Sequence, residues 1–297
     1  MYPLRRRETR RVNVDVFGDV HGQFDKLVSL LRHLGYSAPQ GVWRHPSRTA
    51  VFVGDLIDRG PKQMATVDLV RAMVEAGAAR CILGNHEINA IAWVTPDPEK
   101  SGKFLRAHDA PGNRALHQAF LDEIGEDSLR HREIIAWFMT LPLWLDLGEV
   151  RVVHACWHQE SMDALRLLLG PNQTVTEELM RMGSKKGHWV HEALGIVLKG
   201  PEIGLGDLPA RQENYGEVPQ EVRVPWWSSD APAMAPWQGR AYSGPPVIFG
   251  HYWFTGEPTV ISAQFVCLDY SAARDGPLVA YRWDGEATLS SEKLVWV

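Results

Sequence analysis

The stretch Ala50-Val-Phe-Val-Gly-Asp-Leu-Ile-Asp-Arg-Gly60 sets two carboxylates and a guanidinium directly behind an apolar run. Residues 50–53 read as a buried strand that breaks at Gly54 and delivers Asp55, Asp58 and Arg59 into a loop. Charges in such a place are costly unless something pairs with them. A divalent metal and a phosphate together would do so. Five more residues with metal-ligand side chains stand at the ends of other strand-like runs. Asp19 and His21 follow residues 12–17, Asn85 follows 80–83, His154 closes 149–154, and His251 follows 247–250. Oxygen and imidazole donors without thiolate suit Mn, Fe or Zn in a reactive site, not a structural thiolate zinc. A lone histidine after a strand is ordinarily a hydrogen-bonded core residue. A surplus of polar ligands at several separate strand ends has no packing reason.

The elements that must position these residues are legible as periodic runs. After the first strand, Leu27, Leu30, Leu31 and Leu34 share one helical face and Gly35 stops it. Pro61 opens a second helix with Ala65, Leu69, Ala72 and Met73 inward and Gly77 beyond its end. Residues 88–94 read as a third, ended by Pro96 and Pro98. Strand, polar loop and helix thus occur three times, which implies parallel strands joined by right-handed crossovers. Ligands of such sheets sit outside the carboxyl ends of the strands, where all three polar loops fall. Helical patterns follow at 114–124 and 128–140. Residues 158–245 hold helical pieces at 162–169, 177–182 and 189–198, then a stretch from 200 rich in Pro, Gly and Trp. We read this segment as an insertion that roofs the site within one domain spanning 1–297. Long irregular segments in compact domains are usually functional or disordered. Residues 265–270, 278–283 and 294–297 read as a closing antiparallel set.

Composition narrows the function classes. The 297 residues carry 31 Lys and Arg against 36 Asp and Glu, a net charge of -5. That balance argues against general nucleic-acid binding, which runs on phosphate neutralisation. Arg5, Arg6, Arg7, Arg10 and Arg11 form a basic arm at 1–11, either solvated or a local polyanion contact. It lacks an apolar h-region, so no secretory signal is expected. No run reaches the ~20 apolar residues of a membrane span. The nearest, 137–147, is broken by Pro142 and Asp146. Cys81, Cys156 and Cys267 are far apart in apolar runs and read as small buried hydrophobes in a reducing, cytoplasmic compartment.

Gly18-Asp-Val-His-Gly22, Gly54-Asp-Leu-Ile-Asp-Arg-Gly60 and Gly84-Asn-His-Glu87 resemble the three signature motifs of the calcineurin-like metallophosphoesterases, in their phosphoprotein-phosphatase branch of bacterial type. His154 and Gly250-His251 resemble the fourth and fifth motifs. The fourth departs from the usual His-Ala-Gly, reading His154-Ala-Cys-Trp157, and Tyr252-Trp253 follow the fifth. The resemblance spans residues 12–270. It implies an α/β fold, a two-sheet β-sandwich flanked by helices, with metals at the strand ends. Asp19, His21 and Asp55 would hold one divalent ion, most readily Mn. Asp55, Asn85, His154 and His251 would hold the second, with Asp55 bridging. A metal-activated water would attack phosphorus directly. His86 would protonate the leaving group, held by Asp58, and Arg59 would clamp the phosphate. The family's Trp-Ser-Asp stretch is resembled by Trp226-Trp-Ser-Ser-Asp230. It implies a second phosphate-binding cation, for which Arg240 is the candidate, with Arg223 and Lys185 behind it. Tyr270 is a candidate pocket residue, with a buried structural tyrosine the competing reading.

Three functions stay open at this level. The Asn-His-Glu form of the third motif leans toward a serine/threonine protein phosphatase acting on phosphomonoesters. A dinucleoside polyphosphate (diadenosine tetraphosphate) or nucleotide-end phosphatase is the alternative, with tryptophans between 189 and 253 as a wall that stacks bases. A non-catalytic calcineurin-fold scaffold is the third, disfavoured because every ligand and the His86–Asp58 pair are present. His33, His45, His108, His117 and His131 fall in helix or loop patterns and read as surface or packing residues.

Overall fold

The computed structural model describes residues 13–204, 221–228 and 242–297. Three strand–helix units open it. They are β1 (Val14–Phe17) with α1 (Phe24–His33), β2 (Thr49–Phe52) with α2 (Gln63–Glu75), and β3 (Ala79–Cys81) with α3 (Asn85–Val94). β1 pairs parallel with β2 and β2 with β3, so their three following loops share one edge. α1 buries Leu27, Leu30 and Leu31, the face its spacing predicts. Helices α4 (Pro111–Ile124) and α5 (Leu129–Phe138) follow, then the antiparallel pair β4 (Trp144–Asp146) and β5 (Arg151–Val153).

Helices α6 (Gln159–Leu165), α7 (Glu177–Gly183) and α8 (Trp189–Lys199) come next. A small antiparallel pair, β6 (Glu202–Gly204) with β7 (Glu221–Arg223), stands where the sequence reads as loop. The chain closes with β8 (Val247–Phe249), β9 (Phe265–Cys267), β10 (Val279–Trp283) and β11 (Leu294–Trp296). One sheet runs β11-β10-β1-β2-β3 and the other β4-β5-β8-β9. The fold is therefore α/β, two mixed sheets with helices outside them.

Strand alternation builds two cores. Val14, Val16, Val51, Val53, Ile82, Val152, Ile248 and Val266 meet between the sheets. Phe17, Phe52 and Phe249 point the other way, into the helices. A one-residue slip would exchange these faces, so register is strongly specified. Asp15 is buried on the outer face of β1 and is paired by Arg48 and Arg282 at 2.9 and 3.0 Å, as a buried charge must be. The buried residues of α6 to α8, among them Met162, Leu165, Leu179 and Val197, join the same core as Leu27 and Leu30.

Two expectations are corrected. Residues 265–267 do not belong to a closing antiparallel set. They form β9, which pairs parallel with β8 in the second sheet, while β10 pairs antiparallel with both β1 and β11 in the first. Period-two alternation identifies a strand but not its partner. α3 starts three residues earlier than its apolar pattern implies, at Asn85, because Glu87 caps its first turn. Cys81, Cys156 and Cys267 are free and buried, as expected. No helix among the described residues is long and apolar enough to cross a membrane.

Candidate active site

The loops after β2 and β3 touch backbone to backbone. A Cβ on Gly84 would lie 2.1 Å from Asp55 Oδ1, and one on Gly54 would lie 2.2 Å from the Gly84 nitrogen. Only glycine permits that approach. Glu87, buried on the first turn of α3, locks the contact. Its carboxylate accepts the backbone N–H of Asp55, Leu56 and Gly84 at 2.8, 2.8 and 2.9 Å. The site of the sequence reading had no role for Glu87. The available signal was an acid at the third helical position, where it can reach back to orphan donors. His21, Asp55, Asp58, Arg59 and His251 all carry positive φ, from 45° to 74°. Left-handed non-glycine residues are strained, and such strain concentrates at functional sites.

The predicted ligands converge on Asp55. His21 Nε2 is 3.5 Å and His154 Nε2 3.4 Å from Asp55 Oδ2, and Asn85 Oδ1 is 3.0 Å from His154 Nε2. Their ring orientations are set from behind. His21 Nδ1 meets the Ile57 carbonyl at 2.7 Å and His154 Nδ1 the Val53 carbonyl at 2.8 Å. With Nδ1 donating to a carbonyl, each ring turns Nε2 toward Asp55, the orientation of a metal-ligating imidazole. His251 Nε2 is buried with no hydrogen-bond partner among the described residues. Asp55, His154 and His251 form one group close enough to share an ion, and His21, Asp55 and His86 form another. Asp19 is in neither group. Its carboxylate is anchored beside them by the His251 N–H at 3.1 Å.

The electrostatics call for cations. Burial and the neighbouring Asp269 and Asp55 push the Asp19 carboxyl well above the usual range. Burial also opposes ionisation of Asp55, but His154, His86 and His21 outweigh it and hold that group well below the usual range. Burial pulls the His154 imidazole down, yet Asp55 and Asp19 carry it up to about 10, so a proton stands between ligands that could share an ion. Burial and His86 drive His21 down to about 3, leaving its lone pair free. An orphaned imidazole nitrogen, a surplus of buried carboxylate and correctly oriented rings fit divalent metal.

His86 Nδ1 lies 2.5 Å from Asp58 Oδ2, and its Nε2 faces the cluster, 3.9 Å from Asp55 Oδ2. The other Asp58 oxygen takes His117 Nδ1 at 2.8 Å. The expectation that His117 is a surface or packing residue apart from the motifs is corrected. It projects from α4, buried, into the back of the site. Sequence offered only a histidine on the inner face of an amphipathic helix. The others follow expectation: His33 is exposed, and His108 stacks on Trp93 at 3.8 Å.

Arg59 stands exposed at the rim, its Nη1 3.2 Å from His21 Nε2 and its guanidinium 4.4 Å over the Trp253 ring. Tyr270 is not a pocket residue. It is 2% exposed, its ring belongs to the core between the sheets, and its hydroxyl accepts the Thr259 N–H at 2.9 Å. Arg240 lies outside the described residues. Of its alternatives, Lys185 pairs with Glu99, whereas Arg223 at the end of β7 sits 5.2 Å over Trp253. Among the described tryptophans of the proposed wall, only Trp226 is fully core, and Trp189 and Trp253 are exposed. Trp226 is buried and donates to the Ala155 carbonyl, while Trp253 is 37% exposed.

The calcineurin-like phosphoesterase family model matches residues 12–185, and the chain belongs to that family. It is 32% identical over 146 residues to the asymmetrical bis(5′-nucleosyl)-tetraphosphatase PrpE of Bacillus subtilis strain 168, covering 48% of this chain and 56% of that protein. The chain thus spans about half the length of this relative. It is 24% identical to the symmetrical bis(5′-nucleosyl)-tetraphosphatase of Vibrio vulnificus strain CMCP6 over 94% of this chain and 98% of that one. A solved serine/threonine phosphatase from Saccharomyces cerevisiae, similar to human PP5, shares the fold with a TM-score of 0.51 at 14% identity, over 98% of this chain and 80% of that one.

Proposed function

We propose that the chain is a dinuclear-metal-dependent phosphoester hydrolase whose substrate is a dinucleoside polyphosphate. The observation that carries the hydrolase reading is the convergence of His21, Asn85, His154 and His251 around Asp55 beside the His86–Asp58 pair. The substrate reading is supported by the tetraphosphatase names of the relatives. They favour it over the phosphoprotein reading toward which the Asn-His-Glu form of the third motif, residues 85–87, leaned.

Asp19, His21 and Asp55 would hold one ion and Asp55, Asn85, His154 and His251 the other. Bound there, the pair supplies an activated water and Lewis-acid stabilisation of the phosphoryl oxygens. The chain's own groups do the rest. Arg59, at the rim, orients phosphate oxygens with its fork. Asp58 takes His86 Nδ1–H, which leaves Nε2 aimed into the site to give its proton to the departing oxygen. His117 holds Asp58 from behind. Glu87 keeps the Asp55 and Asn85 loops in register. The described part of the insertion, residues 158–204, 221–228 and 242–245, would roof this site within a single domain.

A panel with purified, Mn-loaded protein tests the reading. Diadenosine tetraphosphate is expected to be cleaved with kcat/KM at least about 100-fold above phosphoserine peptides, a gap of about 2.7 kcal/mol. The reverse order would return the assignment to protein phosphatase. Arg59→Lys is expected to raise KM about tenfold with little change in kcat, since a point charge cannot replace a fork. An unchanged KM removes Arg59 from the clamp. His117→Asn is expected to lower kcat about tenfold at constant KM, the scale of losing an outer hydrogen-bond partner. An unaltered kcat means that Asp58 orients His86 unaided.

A further inference from the structure

Three guanidiniums gather on one indole. Arg59 lies 4.4 Å from the Trp253 ring centroid, and Arg223 and Arg274 each lie 5.2 Å from it. They come from three separate elements: the loop after β2, the end of β7, and the turn after β9. A single arginine on a tryptophan is a common surface contact. Three like charges converging on one ring repel each other and call for an anion. Among the described residues no carboxylate forms an ion pair with Arg59 or Arg274, and Arg223 meets only Glu202, at 3.7 Å. The indole is 37% exposed, so the cradle opens to solvent.

The cradle is built, not incidental. Asp269, a carboxylate 2% exposed, accepts the backbone N–H of both Trp253 and Ser271 at 3.0 Å. Those two residues are both left-handed, with φ of 52° and 61°. One buried acid thereby fixes the loop that bears Trp253 and the start of the turn that bears Arg274. The Lys26 ammonium donates to the Ala272 and Gly276 carbonyls and holds the turn from the other side. The cradle adjoins the metal-ligand cluster. Arg59 contacts His21.

We infer that Arg223 and Arg274, on the Trp253 platform beside Arg59, form a subsite for the non-reacting phosphates of a polyphosphate chain whose reacting phosphate sits at the Asp55 cluster. A monoester has no phosphate to place there, so the subsite selects chains of linked phosphates. This rests on the hydrolase reading above and names the feature that would give it its substrate class.

Equilibrium binding tests it without turnover. Orthophosphate and tripolyphosphate are titrated calorimetrically into the Mn-loaded protein, with Mn matched in cell and syringe, and an ATP arm separates a nucleotide source of the chain from an inorganic one. Tripolyphosphate is expected to bind at least about tenfold more tightly than orthophosphate, the scale of one added charged hydrogen bond. Arg274→Gln and Arg223→Gln are each expected to weaken tripolyphosphate about tenfold and orthophosphate less than about twofold. Arg274→Lys should recover part of the loss. Arg130→Gln, on a surface ion pair with Asp68, controls for net charge. Equal affinities for the two anions, or equal losses for both in the variants, would overturn the subsite. Failure of diadenosine tetraphosphate hydrolysis with tripolyphosphate selectivity intact would instead overturn the substrate reading and leave the subsite standing.

Discussion

Asp55→Asn is expected to lower kcat/KM by about a thousandfold or more, because the residue would be the one anion shared by both ions. Asparagine keeps the shape and removes the charge. Metal bound after dialysis should fall from about two ions per chain to about one or fewer. Full activity with full metal would take Asp55 out of that position. A metal-free readout separates this from misfolding. The His154 imidazole, pulled down by burial, is carried up to about 10 chiefly by Asp55. Without that carboxylate burial prevails, so in Asp55→Asn the His154 pKa should drop markedly, measurable by the pH dependence of its ring NMR signals. A folded variant with His154 still titrating high would contradict the electrostatic account.

His86→Ala should cost about 10²–10⁴ in kcat on alkyl phosphates, the range of a lost general acid. On p-nitrophenyl phosphate, whose leaving group needs no proton, the loss should stay under about tenfold. Equal losses on both substrates would argue against proton donation. The pH profile carries the sign. In the metal-free chain burial pulls the His86 pKa down, but Asp55 and Asp58 outweigh it and raise it above 6.5. Asp58 is the one of the two that still faces His86 alone when ions take up Asp55. The protonated acid is therefore present below that raised value and is lost as pH rises through it, which sets a basic limb in kcat. Asp58→Asn removes one of the two raising charges, so its limb should move to lower pH. A limb that stays in place assigns it to another group.

The site was legible where its chemistry is local. Asp55, Asp58 and Arg59 lie within one loop, and Gly54 and Gly60 frame it, so a short string of residues already declares a charged turn behind a strand. Asp19, Asn85, His154 and His251 could be read for the same reason, each falling at the end of an apolar run. The parallel order of β1, β2 and β3 followed from alternating strands and helices. His117 escaped because its partner is remote in the chain, and the tie made by Glu87 escaped because Asp55 and Leu56, two of its three N–H partners, are remote as well. His117 meets Asp58 across 59 residues, and nothing in the local pattern of α4 distinguishes a histidine packed on carbon from one bonded to a carboxylate. The role offered to Tyr270 failed in the same way: its position after a strand said nothing about Thr259, which occupies its hydroxyl.

Residue type and short-range spacing by themselves determined which segments are strands, where each breaks, and which donors stand at the breaks. Those are properties of a few consecutive residues, set by backbone sterics and side-chain periodicity. Only the tertiary structure decided that β9 joins the second sheet, that Glu87 ties two loops into one, and that three arginines from distant segments gather at the ring of Trp253. Pairings of that kind depend on how separate layers stack and which charges burial leaves uncompensated, and those are fixed by the whole packed core.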